Sequence, residues 1–472
     1  MWFRPLCHRS FMGTGAGLVL GLLAATSPVR AEQEGSPQQP LPVTPLKEPE
    51  APVQAAPALS PAAAGPVGLS GNPINALQFM GTGQLGQWLG LPADGALRIG
   101  GVAVGTSTPQ ISGGSDKAAL SWAGFVALEL SLDLEKVIGW NGAKLSLAGL
   151  QYNVQPVNQR AGSVQGVNSV AAVGPNNRTE LYNYLFSQNL FEGQFQLIAG
   201  KLIPTISFGN ATAPDQSAQN ENYAVPSLSG LSYTPVFVVP TMLGRIPGYP
   251  DSALGVTTTV APNVFNGRTY VSAGVFDGRL GAGEAWTGLV TPSLKGPLFS
   301  VVQVGTAWRL GQRQAPGQTF IGGWHQSGPL GSPGGLSETL AGGVYGQVSQ
   351  RLASFRYGKD SSGLNIFVQA GWSPSVTNLI NSSIGGGLTV LAPFASRPKD
   401  SYGFGLSWAR LNDRTEAGYG FNSSELMLQA YAQFHLVENL FLQPVITTLP
   451  IVGITGGSAP SVSVTLQLTA LF

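Results

Sequence analysis

The sequence contains 472 residues, carries a formal net charge of +1, and combines 64 glycines with only 10% charged residues. Soluble proteins ordinarily carry about 25% charged residues, so this composition disfavours two or three soluble domains and suits one large barrel with a non-aqueous outer surface. No apolar run of about eighteen residues follows the amino-terminal segment, which excludes helical membrane spans. Apolar residues are abundant beyond residue 70, which does not fit a chain that is disordered throughout.

The amino-terminal residues predict a secretory signal peptide over 1–31. Arg4 and Arg9 give it a positively charged start, and an apolar segment follows over 13–26. A small-residue site then predicts cleavage after Ala31, to within a few residues.

Removal of this peptide changes the chemistry that the mature chain can carry. The single cysteine, Cys7, lies within it, so no thiol or disulfide chemistry remains. Cleavage takes away three arginines and no acidic residue, which leaves 21 basic and 23 acidic residues and a net charge of −2. That balance argues against a nucleic-acid partner, which would require a basic face.

Residues 32–70 predict a Pro-rich periplasmic linker that has no core of its own. Prolines at short intervals fix the backbone and remove hydrogen-bond donors, which favours stretches of polyproline II. A flexible leader is the simpler interpretation, and a tether toward the cell wall or a partner is the alternative. No plug domain and no amino-terminal motif for an energy-transducing partner are present, so energised transport is not expected.

From about residue 95 to the end, apolar and polar residues alternate with a period of two. A strand sends successive side chains to opposite faces, so each stretch predicts a ribbon with one apolar and one polar side. The last strand, 461–472, is the clearest case, because its even positions are apolar, its odd positions up to Thr469 are polar, and it ends on Phe472. The other stretches are 119–136, 363–372, 402–408 and 425–435.

Alternation alone does not decide between a soluble sandwich and a transmembrane barrel. The export signal, the terminal strand and the aromatic residues near strand ends together favour a closed barrel with its apolar side toward lipid. Its length predicts an all-β, transmembrane antiparallel β-barrel over 71–472 with about sixteen strands. Long connections are predicted over 151–178, 208–264 and 380–399, and short ones over 135–142 and 437–439. The aromatic residues of the predicted girdle are Trp122, Trp140, Trp372, Trp408, Phe434 and Phe472.

Several motifs, in order along the chain, resemble those of the carbohydrate-selective porins of Gram-negative outer membranes, the OprB family. The segment 132–143, LDLEKVIGWNGA, resembles the strand–turn–strand signature of that family. The segment 193–200, GQFQLIAG, resembles the strand before a Gly-Arg pair, although Lys201 replaces the arginine. Further similar segments are 274–278, 322–325, 343–347, 363–367, 397–401 and 443–444. The resemblance covers about 75–472 and implies a 16-stranded barrel that passes glucose and other sugars by passive diffusion.

Charged residues on the predicted lumen parity are the first candidates for contact with a sugar. Glu129, Asp133 and Glu135 would lie on the lumen side of one strand and Lys144 on the next. Facing charges of both signs would set a transverse field and bond to sugar hydroxyls. Ordinary solvated lumen residues without a selective role are the alternative, and the residue types favour it.

Aromatic residues on the lumen parity are the second set of candidates. Tyr345, Phe367 and Tyr431 could offer weak stacking to a pyranose, which suits passage over several sites. Packing against loops folded into the barrel is the alternative that the pattern favours. Arg397 and Asp400, beside a Pro turn, predict a structural ion pair rather than a contact with the permeant.

Two other functions remain open on the sequence. A general diffusion porin without sugar preference is the nearer alternative, and a barrel hydrolase is a distant third. His435 shares the lumen parity with Glu425, and His325 is the only other histidine after the signal peptide. No nucleophile elbow, paired-His motif or metal-ligand cluster accompanies them, so we expect no enzyme, no metal and no cofactor.

The expected partners follow from an outer-membrane location. They are permeant sugars, outer-membrane lipid and lipopolysaccharide, and the barrel assembly machinery, with a homo-oligomer of the chain left open. Phe472 is predicted to be the signal that the assembly machinery recognises.

Overall fold

The structure is a computed structural model, and its description begins at Gly83. It describes residues 83–171, 176–210, 230–246, 251–262, 269–279, 294–331, 335–357, 362–412, 420–437, 439–454 and 458–472. The predicted signal peptide and Pro-rich linker lie outside the described residues.

The described residues form sixteen antiparallel strands that close into one barrel in which each strand pairs with its neighbours in sequence, and β1 pairs with β16. The predicted barrel and strand number are therefore confirmed. The first eight strands are β1 (Leu97–Gly114), β2 (Leu120–Asp133), β3 (Ala143–Val154), β4 (Asn177–Leu190), β5 (Phe195–Leu202), β6 (Ala253–Val260), β7 (Thr269–Asp277) and β8 (Leu298–Leu310). The others are β9 (Ala315–Gly331), β10 (Ser337–Ser354), β11 (Gly363–Trp372), β12 (Ile380–Leu391), β13 (Ser401–Leu411), β14 (Ser424–Val437), β15 (Leu440–Ile451) and β16 (Ser458–Leu471).

The last strand closes the ring, as its two-faced sequence predicts. The pairing of β1 with β16 runs from Val102 opposite Leu471 to Gly114 opposite Ser458. One further rung follows, because the Gly101 N–H donates to the Phe472 carbonyl at 2.7 Å and the Phe472 N–H donates back at 3.0 Å. A closed ring leaves no unpaired strand edge, which a strand in lipid requires.

The barrel carries its apolar side chains outward, the reverse of a soluble sandwich. On β2 the odd positions from Ser121 to Glu129 are buried, while the even positions carry exposed apolar side chains. The same parity on β16 buries the polar odd positions, from Ser461 to Thr469, and turns the apolar even positions outward. A water-facing surface with so many exposed Leu and Val side chains would be unstable, so this outer face suits hydrocarbon.

The two ends of the barrel differ in their connections. At the end that carries Leu97 and Phe472, here called the C-terminal rim, the connections are short, for example 191–194 and 311–314. At the opposite end, the loop rim, they include 155–176 and 203–252. This asymmetry places the C-terminal rim in the periplasm and the loop rim outside the cell in an outer-membrane barrel.

Outward-facing aromatic residues lie at both rims. Trp122, Trp372 and Trp408 lie near the loop rim, whereas Phe434 and Phe472 lie near the C-terminal rim. Trp140 lies in the turn between β2 and β3 and is half exposed. The predicted girdle is therefore present at the two levels where lipid meets water.

The helices are short: α1 is Gln84–Trp88, α2 is Leu134–Ile138 and α3 is Val157–Arg160. No helix in the described part of the chain has the length and apolar character to cross a membrane.

Two predicted connections contain strands and were wrong. The range 380–399 was predicted as a long loop because of its glycines, but Ile380–Leu391 is β12. The range 208–264 contains β6, a strand of eight residues that ends two residues before a proline. The predicted loop 151–178 is correct in kind, but β3 runs to Val154 and β4 begins at Asn177.

Two long connections fold into the lumen and fill much of it. We call 155–176 loop A and 203–252 loop B, of which 211–229 and 247–250 lie outside the described residues. They bond to each other, because the Thr234 N–H donates to the Gly166 carbonyl at 3.0 Å and the Ser169 N–H to the Ser232 carbonyl at 2.8 Å. The hydrophobic core therefore sits inside the barrel, between the loops and the wall.

Candidate functional site

The lumen face of β14 holds both inner loops, and Gln429 contacts the two together. Its Oε1 accepts from the backbone N–H of Ser232 at 2.7 Å and of Tyr233 at 3.1 Å, both in loop B. Its Nε2 donates to the Val167 carbonyl of loop A at 3.2 Å and to Thr447 Oγ1 at 2.9 Å. A single amide can do this because it has two donor and two acceptor positions.

Glu425, four residues earlier on the same face, holds loop A. Its carboxylate accepts from Ser163 Oγ at 2.7 Å, from the Val164 N–H at 2.6 Å and from the Gln165 N–H at 3.2 Å. Ser407 Oγ donates to Gln165 Oε1 at 2.6 Å from the neighbouring strand. Convergent N–H and O–H donors satisfy a buried carboxylate without a cation, so Glu425 fixes the backbone of loop A at this level.

Loop B is attached to the wall at further points by amides and a phenol. The Gly230 N–H donates to Tyr431 Oη at 2.8 Å, and Gln443 Nε2 donates to the Gly230 carbonyl at 2.6 Å. Gln369 Nε2 donates to the Pro235 carbonyl at 2.6 Å. These bonds satisfy backbone groups that would otherwise be buried without partners.

Glycines on β11, β12 and β13 provide the space that loop B occupies. A Cβ at Gly371 would lie 2.5 Å from the loop, one at Gly387 would lie 2.9 Å from Leu231 Cδ1, and one at Gly405 would lie 2.6 Å from Tyr233 Oη. At such distances a side chain on the wall would require the loop side chains to shift. Gly387, which lies in the range 380–399 that was predicted as a long connection, is therefore part of the wall, where the three glycines form a recess for the loop.

A buried cluster of four charges lies on β4, β5 and the end of loop B, and sequence reasoning missed it. Arg178 bonds to Glu180 at 3.0 Å and to Asp251 at 2.9 Å, and its guanidinium lies 4.3 Å above the Tyr152 ring. Lys201 Nζ lies 3.5 Å from Glu180 and donates to the Leu181 carbonyl at 2.7 Å. Two cations and two carboxylates cancel, so the cluster ties the return of loop B to the wall without adding net charge. The one available signal was the same-face pair Arg178 and Glu180.

Of the predicted charged candidates, Glu129 lies where its parity predicts. It faces the lumen, is 1% exposed, and neither carboxylate oxygen has a hydrogen-bond partner. Its cross-strand neighbours are Gly100 and Ala148, which offer no polar side chain. Its contact with a permeant stays a prediction.

The other three charged candidates lie at the C-terminal rim, and the placement predicted for Glu135 was wrong. Asp133 ends β2 and caps α2, where its Oδ1 accepts from the backbone N–H of Glu135 at 3.1 Å and of Lys136 at 3.4 Å. Glu135 lies in α2, not on a strand, and accepts from the Gly142 N–H at 3.0 Å. Lys144 pairs with Asp133 at the rim and is exposed. The signature segment 132–143 thus builds a turn, because capping consumes the acidic side chains.

The three lumen aromatics pack against the inner loops and the wall. Tyr431 accepts from Gly230 of loop B, and Tyr345 Oη donates to Gln303 Oε1 at 3.0 Å. Phe367 is 1% exposed and belongs to the same apolar cluster as residues of loop B. These contacts support the packing interpretation over sugar stacking for all three.

Arg397 and Asp400 form the predicted ion pair in the turn before β13. Asp400 Oδ1 also accepts from the His435 N–H at 2.9 Å, and Arg397 Nη2 donates to the His435 carbonyl at 3.0 Å. The pair joins the turn to the end of β14.

The two histidines do not form a catalytic arrangement with Glu425. Ten residues of one strand separate His435 from Glu425, which is about 33 Å at the rise of a strand. His325 lies on the outer face of β9 and is exposed. In the part of the chain described, no group of three or more His, Cys, Asp or Glu side chains is placed to hold a metal ion.

A closed sixteen-stranded barrel with an apolar outer wall and a polar lumen narrowed by two infolded loops defines a membrane channel of the porin type. The model of the carbohydrate-selective porins, OprB family, matches residues 117–448, and the chain belongs to this family. It is therefore a Gram-negative outer-membrane protein.

Two relatives illustrate the similarity. Porin B of Pseudomonas aeruginosa is 23% identical over 335 residues, which covers 66% of this chain and 69% of that protein. A high-pH structure of OprB from Pseudomonas putida covers 80% of this chain and 94% of its own, with a TM-score of 0.65 and 18% identity. At that identity, the structural likeness shows the shared barrel fold.

Proposed function

We propose that this protein lets sugars such as glucose diffuse passively through the outer membrane into the periplasm, with preference for carbohydrates over other small polar solutes. Membership of the carbohydrate-selective porin family supports the solute class. The structural observation that carries the proposal is the wall of buried amide and hydroxyl side chains around two fixed inner loops.

The chemistry of this wall suits a neutral, hydroxyl-rich solute. Amides and hydroxyls both donate and accept hydrogen bonds, so they can replace water around a sugar one bond at a time. The four-charge cluster is neutral overall, so it sets no strong preference for an anion or a cation. Weak bonds at several levels allow the solute to enter and to leave again.

Glu129 and Lys144 complete the proposal as titratable groups of the periplasmic half. The Glu129 carboxyl group, whose two oxygens have no partner within the protein, can exchange hydrogen bonds with sugar hydroxyls from the lumen wall. Lys144 lies at the C-terminal rim, where it would meet the solute last.

Conductance of the mature protein in planar bilayers tests the function. Single-channel current in salt should fall in a saturable way as D-glucose is added, because a bound sugar excludes ions. A salt current that falls only as the viscosity of the solution rises would identify a general diffusion porin instead.

A further inference from the structure

We propose that a row of side chains on β13, β14, β15 and β16 is a sugar-binding station on the lumen wall, on the periplasmic side of loop B. The row consists of Ser401, Gln433, Gln443 and Gln467. The inference rests on the proposed function and names the groups that would contact the sugar.

The register of the sheet places these four side chains next to one another. Ser401 pairs with Gln433, and Gln443 pairs with Gln467. Gln433 and Gln443 face each other on neighbouring strands, because the register that pairs Tyr431 with Val445 continues two residues further along. Directly opposed residues of an antiparallel sheet have Cβ atoms about 5 Å apart, so the row is continuous across four strands.

The polar atoms of the row have no partner within the protein. The amide oxygens of Gln433, Gln443 and Gln467, the amide nitrogen of Gln433 and the hydroxyl of Ser401 all lack a hydrogen bond. None of these four residues is more than 2% exposed. Buried polar groups are nearly always paired, so a contiguous unpaired set indicates partners that come from outside the protein.

The bonds that the row does make use only two of its amide nitrogens. Gln443 Nε2 is used for the Gly230 carbonyl of loop B, and Gln467 Nε2 donates to Thr469 Oγ1 at 3.3 Å. Three acceptors, one amide donor and one hydroxyl therefore remain. The row holds no ionised side chain, which disfavours an inorganic ion, and hydroxyl groups that donate and accept are the matching ligand chemistry.

Aromatic rings border the row on both sides along the strands. Tyr431 lies two residues from Gln433 toward the loop rim, and its phenol is held by Gly230. On the periplasmic side the rings of His435 and Phe441 lie with their centroids 5.2 Å apart. Tyr431 packs against loop B, whereas the rings of His435 and Phe441 beside the amide groups fit the CH face of a pyranose whose polar edge meets the amides, so the ligand class is a monosaccharide ring.

The substitution Gln433→Met tests the station, because both amide atoms lack protein partners and methionine has a similar length. The D-glucose concentration that halves single-channel current should rise roughly threefold to tenfold, the value of about one hydrogen bond. Salt conductance without sugar should stay as in the wild type. Gln467→Met should act in the same direction, and it is the second variant if Gln433→Met assembles poorly.

Gln326→Met is the matched control for Gln467→Met. Gln326 faces the lumen from β9, is buried, and has an unpaired amide oxygen as Gln467 does, but its cross-strand neighbours Phe299 and Ala341 offer no polar side chain. It should change glucose sensitivity less than about twofold. Equal effects of Gln467→Met and Gln326→Met would overturn the station, and so would unchanged glucose sensitivity in Gln433→Met and Gln467→Met, which would mean that the row holds water only.

Two further outcomes separate this inference from the proposed function. If D-glucose does not affect the wild-type current at all, the proposed function itself fails. Glycerol has hydroxyls but no ring. If it reduces the current as strongly as glucose, and if Gln433→Met raises the concentration of glycerol that halves the current by the same factor as for glucose, the assignment to a sugar ring is wrong.

Discussion

Arg178 is the residue on which the charged cluster of the lumen wall depends. It neutralises Glu180 and Asp251 and lies over the Tyr152 ring, so its loss would leave two buried carboxylates with Lys201 alone. Breaking a buried pair by removing one partner costs more than the pair contributes, because the remaining charge is then buried without compensation.

We expect Arg178→Met to lower the free energy of unfolding of the folded barrel by about 3–5 kcal/mol. Urea unfolding in lipid vesicles, followed by tryptophan fluorescence, measures it. The control is Arg313→Met in the exposed turn between β8 and β9, which should change it by less than about 0.5 kcal/mol. Equal unfolding midpoints for the two variants would show that the cluster contributes no stability.

Single residues of the candidate site were only partly predictable from the sequence. Parity placed Glu129 correctly on the lumen face, since the side of a strand follows from position alone. It misplaced Glu135, because alternation continues in the sequence after the strand has ended and Asp133 has begun to cap a helix. The cluster of Arg178, Lys201 and Asp251 could not be found, because it joins residues far apart in sequence.

Among the elements, β14 combines a lipid-facing side with a side that positions both inner loops. Glu425, Gln429 and Tyr431 succeed one another along its lumen face and bond to loop A, both loops and loop B in that order. We therefore expect the width of the channel at this level to depend on the bonds between this strand and the two loops.

We expect Gln429→Leu to raise single-channel conductance, because loops A and B each lose backbone bonds to the wall and move apart. Its lost bonds are buried, with a cost of about 1–3 kcal/mol for groups left unpaired. The control is Thr389→Val, a change of similar shape at a buried hydroxyl of β12 that has no hydrogen-bond partner. If Gln429→Leu has the same single-channel conductance as the wild type and as Thr389→Val, then the bonds of Gln429 to the two loops do not set the channel width.

The recess that the wall glycines form for loop B leads to a second prediction. Gly405→Val places a side chain into the space of Leu231 and Tyr233, so loop B should be displaced and conductance should change. Gly149→Val is the control on β3, where a Cβ would meet nothing within 4 Å on the outer face. Both substitutions add the same β-branched residue, and only the first should alter single-channel current. An effect of equal size from Gly149→Val would contradict the recess.

The elements themselves follow from the sequence wherever both strand faces have a distinct character. β2 and β16 were predicted because large apolar residues recur at every second position over most of their length. β12 was missed because the glycines at 385–387 have no side chains and therefore show no alternation of apolar and polar residues. Their role follows only from the structure, in which loop B lies against the wall at Gly387. Local pattern cannot report a contact with a distant loop.

For the whole molecule, the barrel was predictable and the contents of its lumen were not. Sixteen strands follow from chain length and period, and closure follows from the requirement that no strand edge meets lipid. The infolding of loops A and B depends on tertiary bonds such as that between Thr234 and Gly166. These arise between connections whose sequences show no regular period.

Phe472 contributes to closure of the barrel in two separable ways, through its backbone and through its aromatic ring. Its backbone makes the last rung of the seam with Gly101, and its ring lies against the bare outer face of that glycine, where a Cβ would lie 2.7 Å from Cε2. An aromatic side chain over a glycine on the next strand is a stabilising cross-strand pair. Loss of the residue would therefore weaken the seam even if no assembly factor recognised the ring.

We expect deletion of Phe472 to lower the amount of assembled barrel more than it alters the conductance of the channels that do form. Phe472→Ala keeps the backbone rung and removes the ring, so a loss of assembly as large as that of the deletion would assign the effect to the ring and not to the rung. Leu468→Ala is the control, because it removes another outward apolar side chain from β16. Protease-resistant protein in outer membranes measures assembly, and single-channel recording measures conductance. If Phe472→Ala assembles as well as Leu468→Ala while the deletion does not, then only the rung matters and the signal role of the ring is wrong.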